Sequence, residues 1–298
     1  MTAASPDWIA IDWGTTRLRA FALTCDGVTL AEASSDDGMS RLSPAEFEPA
    51  LLRLVGPWLT RPTPVLACGM VGSRQGWVEA PYRPVPCAPL DPARLIPVPT
   101  KDPRLHLRLV PGLSQQRPAD VMRGEETQIA GALALHPAFD GVICLPGTHC
   151  KWAQISAGEV VGFQTFMTGE LFALLSQGSV LRHAMPGDGW DAGAFAAALS
   201  DAQSHPASIA ARLFALRAES LLSGLSPAAA RARLSGLLIG IELAAARPWW
   251  LGQQVILVGA EPLCTTYATA LTLQGTPSRT WPAAACVIAG LATALERR

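Results

Sequence analysis

The chain has 298 residues, 49% of them hydrophobic and 16% charged, with a formal net charge of −1. A chain of that size and polarity can bury a large core and suggests two domains, which excludes a disordered chain. No basic surplus or polybasic run points to nucleic acid.

The seven cysteines (25, 68, 87, 144, 150, 264 and 286) are scattered without a C-x-x-C pair, and the five histidines have no paired spacing. That pattern predicts reduced thiols in the cytoplasm rather than a disulfide framework or a zinc site. Residues 1–7 lack the regions of a signal peptide, and no apolar run reaches about 18 residues, so no membrane span is expected.

In chain order, Ile9-Ala10-Ile11-Asp12-Trp13-Gly14-Thr15-Thr16 comes first. An apolar strand ends in an Asp, a Gly-Thr-Thr turn follows, and further strand segments flank Asp26-Gly27. This predicts a β-hairpin with a tight first turn. Such a turn can gather backbone N–H groups on phosphate oxygens, and the adjacent carboxylate could hold Mg²⁺. The alternative is an ordinary surface hairpin.

Phe47, Leu51, Leu52, Val55, Trp58 and Leu59 fall near one helical face over residues 44–60, with Ser43 as the cap. Val65–Gly72 predicts a buried strand opening into the glycine-rich loop Gly72-Ser73-Arg74-Gln75-Gly76-Trp77. Residues 78–104 read as irregular chain with short strands, and Leu105–Pro111 as a strand. Asp120-Val121-Met122-Arg123-Gly124-Glu125-Glu126-Thr127-Gln128, running on to Leu133, predicts a helix whose first turns are unusually acidic. Acids there suit the helix dipole, and Asp120 could serve merely as its cap.

Val142-Ile143-Cys144-Leu145-Pro146-Gly147-Thr148-His149-Cys150-Lys151 repeats the opening plan at an offset of 133 residues (147 − 14). Strands over 152–156 and 160–166 follow it. Two such units at one offset suggest a duplicated half. Leu145 stands where the first copy has Asp12, so only the first turn offers a carboxylate. The second offers Lys151, one of only two lysines, whose compact charge suits a phosphate or carboxylate unless it is a plain surface lysine. Residues 168–246 read as helical, with loops near 185–189 and 204–206. Val255–Ala260 is a buried strand and about 263–273 a helix. The small turn at Gly259-Ala260 could approach a nucleoside, although ordinary α/β connections look the same. Trp281–Glu296 reads as a final helix.

Together, Asp-Trp-Gly-Thr-Thr, Gly-Met-Val-Gly-Ser-Arg-Gln-Gly-Trp, Asp-Val-Met-Arg-Gly-Glu-Glu-Thr-Gln and Leu-Pro-Gly-Thr-His-Cys-Lys-Trp resemble the 2-dehydro-3-deoxygalactonokinase family of the sugar kinase / Hsp70 / actin superfamily. Cys150 departs from the serine expected there. The resemblance implies an α/β, two-domain actin-like ATPase (ribonuclease H-like) fold with the active site in the interdomain cleft. The expected domains are 1–115 and 116–298, with the last helix, about 281–297, packing back on the first. The implied activity is ATP-dependent phosphorylation of 2-dehydro-3-deoxy-D-galactonate at its terminal hydroxyl.

On that resemblance Asp12 orients Mg²⁺, and Gly14, Thr15, Thr16, Gly147 and Thr148 hold the ATP phosphates. Gly259 and Ala260 approach adenosine. Asp120 is the first choice of catalytic base, with Glu125 as runner-up. Arg74, Lys151 and Arg123 are the cations for the sugar acid's carboxylate. The expected partners are ATP and a sugar acid, with a homodimer left open. Competing readings are a kinase of the same fold for another sugar or sugar acid, a non-catalytic nucleotide-binding regulator, and a chaperone-like ATPase, for which the chain is short.

Overall fold

The computed structural model describes residues 5–295. Residues 1–4 and 296–298, and with them part of the 1–7 segment and the expected helix end near 297, lie outside the described residues. The elements of the first half are β1 (Trp8–Trp13), β2 (Leu18–Leu23), β3 (Thr29–Ser35), α1 (Phe47–Val55), β4 (Thr63–Gly69), β5 (Arg83–Pro84), β6 (Ile96–Pro97), β7 (Leu105–Leu109), β8 (Leu113–Gln116), β9 (Ala119–Met122) and α2 (Glu125–Leu135). There follow β10 (Gly141–Leu145), β11 (Cys150–Ser156), β12 (Glu159–Phe166), α3 (Thr168–Ala173), α4 (Ala192–Ser204), α5 (Ile209–Leu222) and α6 (Pro227–Ala245). The chain closes with α7 (Arg247–Trp250), β13 (Val255–Gly259), α8 (Glu261–Thr272), β14 (Ser278–Pro282) and α9 (Ala283–Thr293). No described helix is long and apolar enough to cross a membrane.

The chain divides into two compact units. The first is Met1–Asp140 with Ile155–Gly162 and Pro282–Arg298; the second is Gly141–Gln154 with Phe163–Trp281. In the first unit a six-stranded sheet has the order β3-β2-β1-β4-β7-β6. β1 pairs antiparallel with β2 and parallel with β4, and β4 runs parallel to β7. The period-2 alternation of β1 explains its unbroken apolar run. Ile9, Ile11 and Trp13 pack on Phe47, Leu51 and Val55 of α1, while Trp8 and Ala10 turn to the other face, with Ala130 of α2 and Val287 and Leu291 of α9. α2 and α9 cross closely because both are glycine at the crossing. A Cβ on Gly131 would sit 1.7 Å from the Cys286 carbonyl oxygen, and one on Gly290 would sit 2.0 Å from that of Thr127.

In the second unit the sheet order is β12-β11-β10-β13-β14, with β10 parallel to β13. The four-strand order β12-β11-β10-β13 repeats β3-β2-β1-β4, as the duplicated motif implies. Helix α4 lies on α6 at Gly236 and Gly240, where a Cβ would meet the Phe195 and Leu199 carbonyl oxygens at 2.5 and 2.8 Å.

Three readings need correction. Asp120 is not at a helix start: residues 119–122 form β9, which folds back on β8 and pairs Asp120 with Gln115. The helix begins only at Glu125, after Gly124 turns the chain with φ +104°. Trp281 likewise lies on β14, and Pro282 separates that strand from α9. Residues 116–140, expected with the second domain, group with the first unit, because the β8–β9 hairpin joins β5 there and α2 packs on α9.

Candidate active site

In the first unit the site residues gather at the carboxyl ends of the parallel strands β1 and β4, where α/β folds place their ligands. Asp12 stands opposite Arg19 on β2 and Cys68 on β4. Its carboxyl is buried and ion-paired with Arg19. Burial raises its pKa, and the Arg19 charge and hydrogen bond oppose the rise.

The following turn closes with the Gly14 N–H on the Arg17 carbonyl at 2.9 Å. Its carbonyls point backwards: those of Gly14 and Thr15 accept from the Met39 and Ser40 N–H groups at 3.0 Å each, and the Ser40 hydroxyl adds a bond of 2.8 Å. A Cβ on Gly38 would sit 2.2 Å from the Thr16 backbone, so only glycine lets this brace lie so close. With the Gly14 and Thr15 carbonyls engaged, the exposed Thr15 and Thr16 offer N–H and hydroxyl groups, the polarity an anion needs.

Gly69, at the end of β4, has φ +94°, and its Cβ would sit 2.6 Å from the Trp13 carbonyl oxygen. Gly124 lies on Gly69 in turn, its Cβ position 3.3 Å from the Gly69 Cα. This contact brings the Asp12–Thr16 turn, the Met70–Arg74 loop and the Arg123–Glu126 segment together.

Arg123 is 8% exposed. Its Nη2 donates to the Ala80 carbonyl at 2.7 Å, and its guanidinium lies 4.4 Å from the centroid of the Tyr82 ring. Its Nε and Nη1 are buried without a hydrogen-bond partner, as is the Ser73 hydroxyl. A Cβ on Gly72, the neighbour of Ser73, would sit 3.0 Å from that Nη1. Arg74 itself is exposed.

Glu125 is half-buried in the first turn of α2 and accepts the Arg123 N–H at 3.1 Å. Glu126 is fully buried, accepting from the Gly124 N–H at 2.6 Å and the Thr127 hydroxyl at 3.0 Å. Burial, then the Glu125 charge, pushes its pKa up to about 8. Asp120 is half-buried on β9, where it accepts its neighbour Val121's N–H at 2.7 Å.

In the second unit, Gly147 and Thr148 form the turn between β10 and β11. Gly169 packs on it, its Cβ position 2.2 Å from the Gly147 carbonyl oxygen, and the Glu170 N–H donates to the Thr148 carbonyl at 2.9 Å. Lys151 is buried on β11, 5% exposed, so it is not a surface lysine. Gly259 and Ala260 connect β13 to α8 beside this turn, with the Gly259 Cβ position 3.0 Å from the Pro146 carbonyl oxygen.

Next to these turns lies a cavity of about 280 Å³, lined by Gly147, Thr168, Phe172, Trp190, Arg231 and Tyr267 among others. Its mixture of aromatic rings and a few polar groups is typical of a small-molecule site. The Arg231 guanidinium lies 5.1 Å from the centroid of the Phe172 ring.

Cys144, Cys150 and Glu242 place two sulfurs and a carboxylate oxygen within 4.8 Å of one another. The Glu242 carboxylate already accepts from Trp152 Nε1, the Tyr267 hydroxyl and the Thr168 hydroxyl, which leaves the thiols as the remaining ligands. Burial raises the pKa of both thiols, so neither is set up as a thiolate.

The sequence reading missed Arg19, Ser73, Glu126, Glu242 and the cavity wall. Glu242 had a signal, being the lone acid of α6. Phe172 and Trp190 had none, since aromatic residues in helical segments usually mean core.

The chain is similar to known proteins over most of its length. A curated "Probable 2-dehydro-3-deoxygalactonokinase" of Rhizobium meliloti (strain 1021) is 42% identical over 295 residues, 96% of each chain. The 2-dehydro-3-deoxygalactonokinase of Escherichia coli (strain K12) is 38% identical over 272 residues, 90% of each. A crystal structure from Sinorhizobium meliloti described by the same activity superposes with a TM-score of 0.88 at 41% identity, over 96% of this chain and 95% of that one. A sugar kinase structure from Porphyromonas gingivalis, at 14% identity and TM-score 0.50 over 96% of this chain and 99% of that one, shares the actin-like fold alone. The 2-keto-3-deoxy-galactonokinase family model matches residues 12–294, and the chain belongs to that family.

Proposed function

We propose that the chain transfers the γ-phosphoryl group of ATP to the terminal hydroxyl of 2-dehydro-3-deoxy-D-galactonate, giving the 6-phosphate in galactonate breakdown. The observation that carries the substrate reading is Arg123. A buried guanidinium with two unpaired N–H edges lacks an anion, and a planar carboxylate fits that fork. The buried Ser73 hydroxyl on the same loop is a second donor without a partner. Arg123 therefore replaces Arg74 as the first cation for the keto acid's carboxylate, with Lys151 next.

The Thr15 and Thr16 N–H groups take phosphate oxygens, as do Gly147 and Thr148, and the nucleoside lies in the cavity beside Gly259 and Ala260. Mg²⁺ fits the donor set: Asp12 is a buried carboxylate next to the phosphate turn, and this ion typically takes one or two carboxylates plus phosphate oxygens and waters. When bound, it neutralises charge on the phosphates. Asp12 is held in place by Arg19, whose charge must share the carboxylate with the ion.

Glu125 is the proposed base. The family resemblance implies a base at a helix start, and Glu125 has that place while Asp120 stands on a strand. The sugar oxygen attacks the γ-phosphorus, the bond to the β–γ bridging oxygen breaks, and the hydroxyl proton passes to the Glu125 carboxylate late in the step. The enzyme works in the cytoplasm, where its seven free thiols stay reduced.

An ADP-release assay across sugars and sugar acids tests this. Turnover should be highest with 2-dehydro-3-deoxy-D-galactonate. Preference for an aldose without a carboxylate would overturn the substrate and the Arg123 role together.

A further inference from the structure

Glu242 is the one acid of α6, 1% exposed, deep in the second unit. Besides the Cys150 thiol, its side chain gathers three nitrogen and oxygen donors from three other elements. Trp152 of β11 donates its indole N–H to Oε1 at 2.7 Å, Tyr267 of α8 donates its hydroxyl to Oε2 at 2.7 Å, and Thr168 at the start of α3 donates its hydroxyl to Oε2. Burial raises the carboxyl's pKa, and hydrogen bonds from Cys150, Thr168, Trp152 and Tyr267 oppose the rise.

Those elements are the ones that shape the nucleotide half-site. β11 leaves the Gly147–Thr148 turn. Thr168 precedes Gly169, which presses on the Gly147 carbonyl oxygen at a Cβ distance of 2.2 Å, and Glu170 donates to Thr148. Helix α8 starts at the Gly259–Ala260 turn. Thr168 and Tyr267 both line the 280 Å³ cavity. An ordinary core position would be filled by an apolar side chain at lower desolvation cost, so a buried carboxylate with three donors calls for another reason.

We infer that Glu242 is a positioning residue for ATP, a fixed post that holds the Gly147–Thr148 turn, the Thr168–Gly169 step and the front of α8 in register around the nucleotide. It touches no substrate. It acts through Thr168 and Tyr267 on the cavity wall and through β11 on the phosphate turn. Trp152 is its partner away from the cavity. The inference rests on the reading of this cavity as the nucleoside site.

The test is ADP binding to the full-length protein by calorimetry, with KM measured separately for ATP and the keto acid. Glu242→Gln keeps one acceptor oxygen and turns the other position into a donor, so it cannot hold all three partners as they are. Its Kd for ADP and KM for ATP should rise roughly ten-fold, with KM for the keto acid unchanged. Trp152→Phe, which removes a donor without altering the cavity wall, should shift ATP and ADP in the same direction by less, and it stands in if Glu242→Gln does not fold. Phe172→Ala, a direct change to the cavity, checks the underlying reading. If Phe172→Ala leaves ADP binding intact, the cavity is not the nucleoside site and the inference falls with it. If Phe172→Ala weakens ADP but folded Glu242→Gln and Trp152→Phe bind it normally, or lose both substrates equally, Glu242 serves stability alone.

Discussion

Gly124 lies on Gly69, with its Cβ position 3.3 Å from the Gly69 Cα and both residues at positive φ. This contact between two backbones without side chains sets the start of α2 against the end of β4. Glu125 and Arg123 flank it on one side and the Met70–Arg74 loop on the other. Neither glycine can be replaced without moving the groups assigned to the base and the carboxylate.

The two positions should respond differently to alanine. At Gly124 the cost is mainly the left-handed backbone, roughly 1–2 kcal/mol, with a shift of a few tenths of an ångström. Gly124→Ala should stay folded, with Tm a few degrees lower and kcat down roughly 10–100-fold, because small misplacements of reacting groups are costly. At Gly69 a Cβ would also strike the Trp13 carbonyl oxygen at 2.6 Å. Gly69→Ala should lose roughly 2–5 kcal/mol of stability. Calorimetric unfolding beside kcat separates the two, and equal Tm losses would refute the distinction.

Arg123 and Arg74 allow a direct comparison of a buried cation and an exposed one. Arg123→Ala should raise KM for the keto acid roughly 10–100-fold, the worth of a charge-assisted bidentate contact, and leave KM for ATP unchanged. Arg74→Ala should change KM for the keto acid by less. Steady-state kinetics of both variants checks this. A large effect at Arg74 with little at Arg123 would return the carboxylate to the exposed loop.

Much of the fold was legible because local chemistry and long-range pairing agree. The apolar run ending in Asp12 and the Gly-Thr turns of both halves name their own strands, and the repeat at Gly147 predicts the shared strand order. Of the misread segments, the one at the site was 120–133. Its acids suggested one continuous helix, whereas Asp120 is held by pairing with Gln115 across β8–β9, a contact set by tertiary structure. The site was legible as residue types but not as burial. Arg74, Arg123 and Lys151 are equal cations on paper, and only packing against Ala80 and Tyr82 makes Arg123 the one with buried, unpaired edges. The roles of Glu126 and Glu242 follow from desolvation, which a sequence does not display.

The base assignment turns on two carboxylates five residues apart. Glu125→Gln should lower kcat roughly 10²–10⁴-fold, the usual size of a general base contribution, with KM for both substrates little changed. Asp120→Asn should keep kcat within a few-fold, since its carboxylate stands on a strand and already caps Val121. Near-normal kcat in folded Glu125→Gln would reject the assignment, and a collapse in Asp120→Asn would give the role to Asp120.

Glu126 predicts a pH dependence of stability whose sign can be worked out. Folded, its carboxyl keeps its proton to about pH 8; unfolded, it loses it near its ordinary 4.5. Between those values the folded state binds more protons than the unfolded one. Stability from this group is therefore fully present below about pH 4.5 and falls as pH rises towards 8, by at most about 1.4 kcal/mol per unit. Glu242 and Asp12, also raised by burial, add slopes of the same sign. Glu126→Gln carries no proton to lose, and its amide oxygen can still accept the Gly124 N–H. The drop in Tm between pH 6 and pH 8 should therefore shrink in Glu126→Gln. A drop as large as in the parent protein would mean that Glu126 is already ionised at pH 6 and that its two hydrogen bonds outweigh its burial.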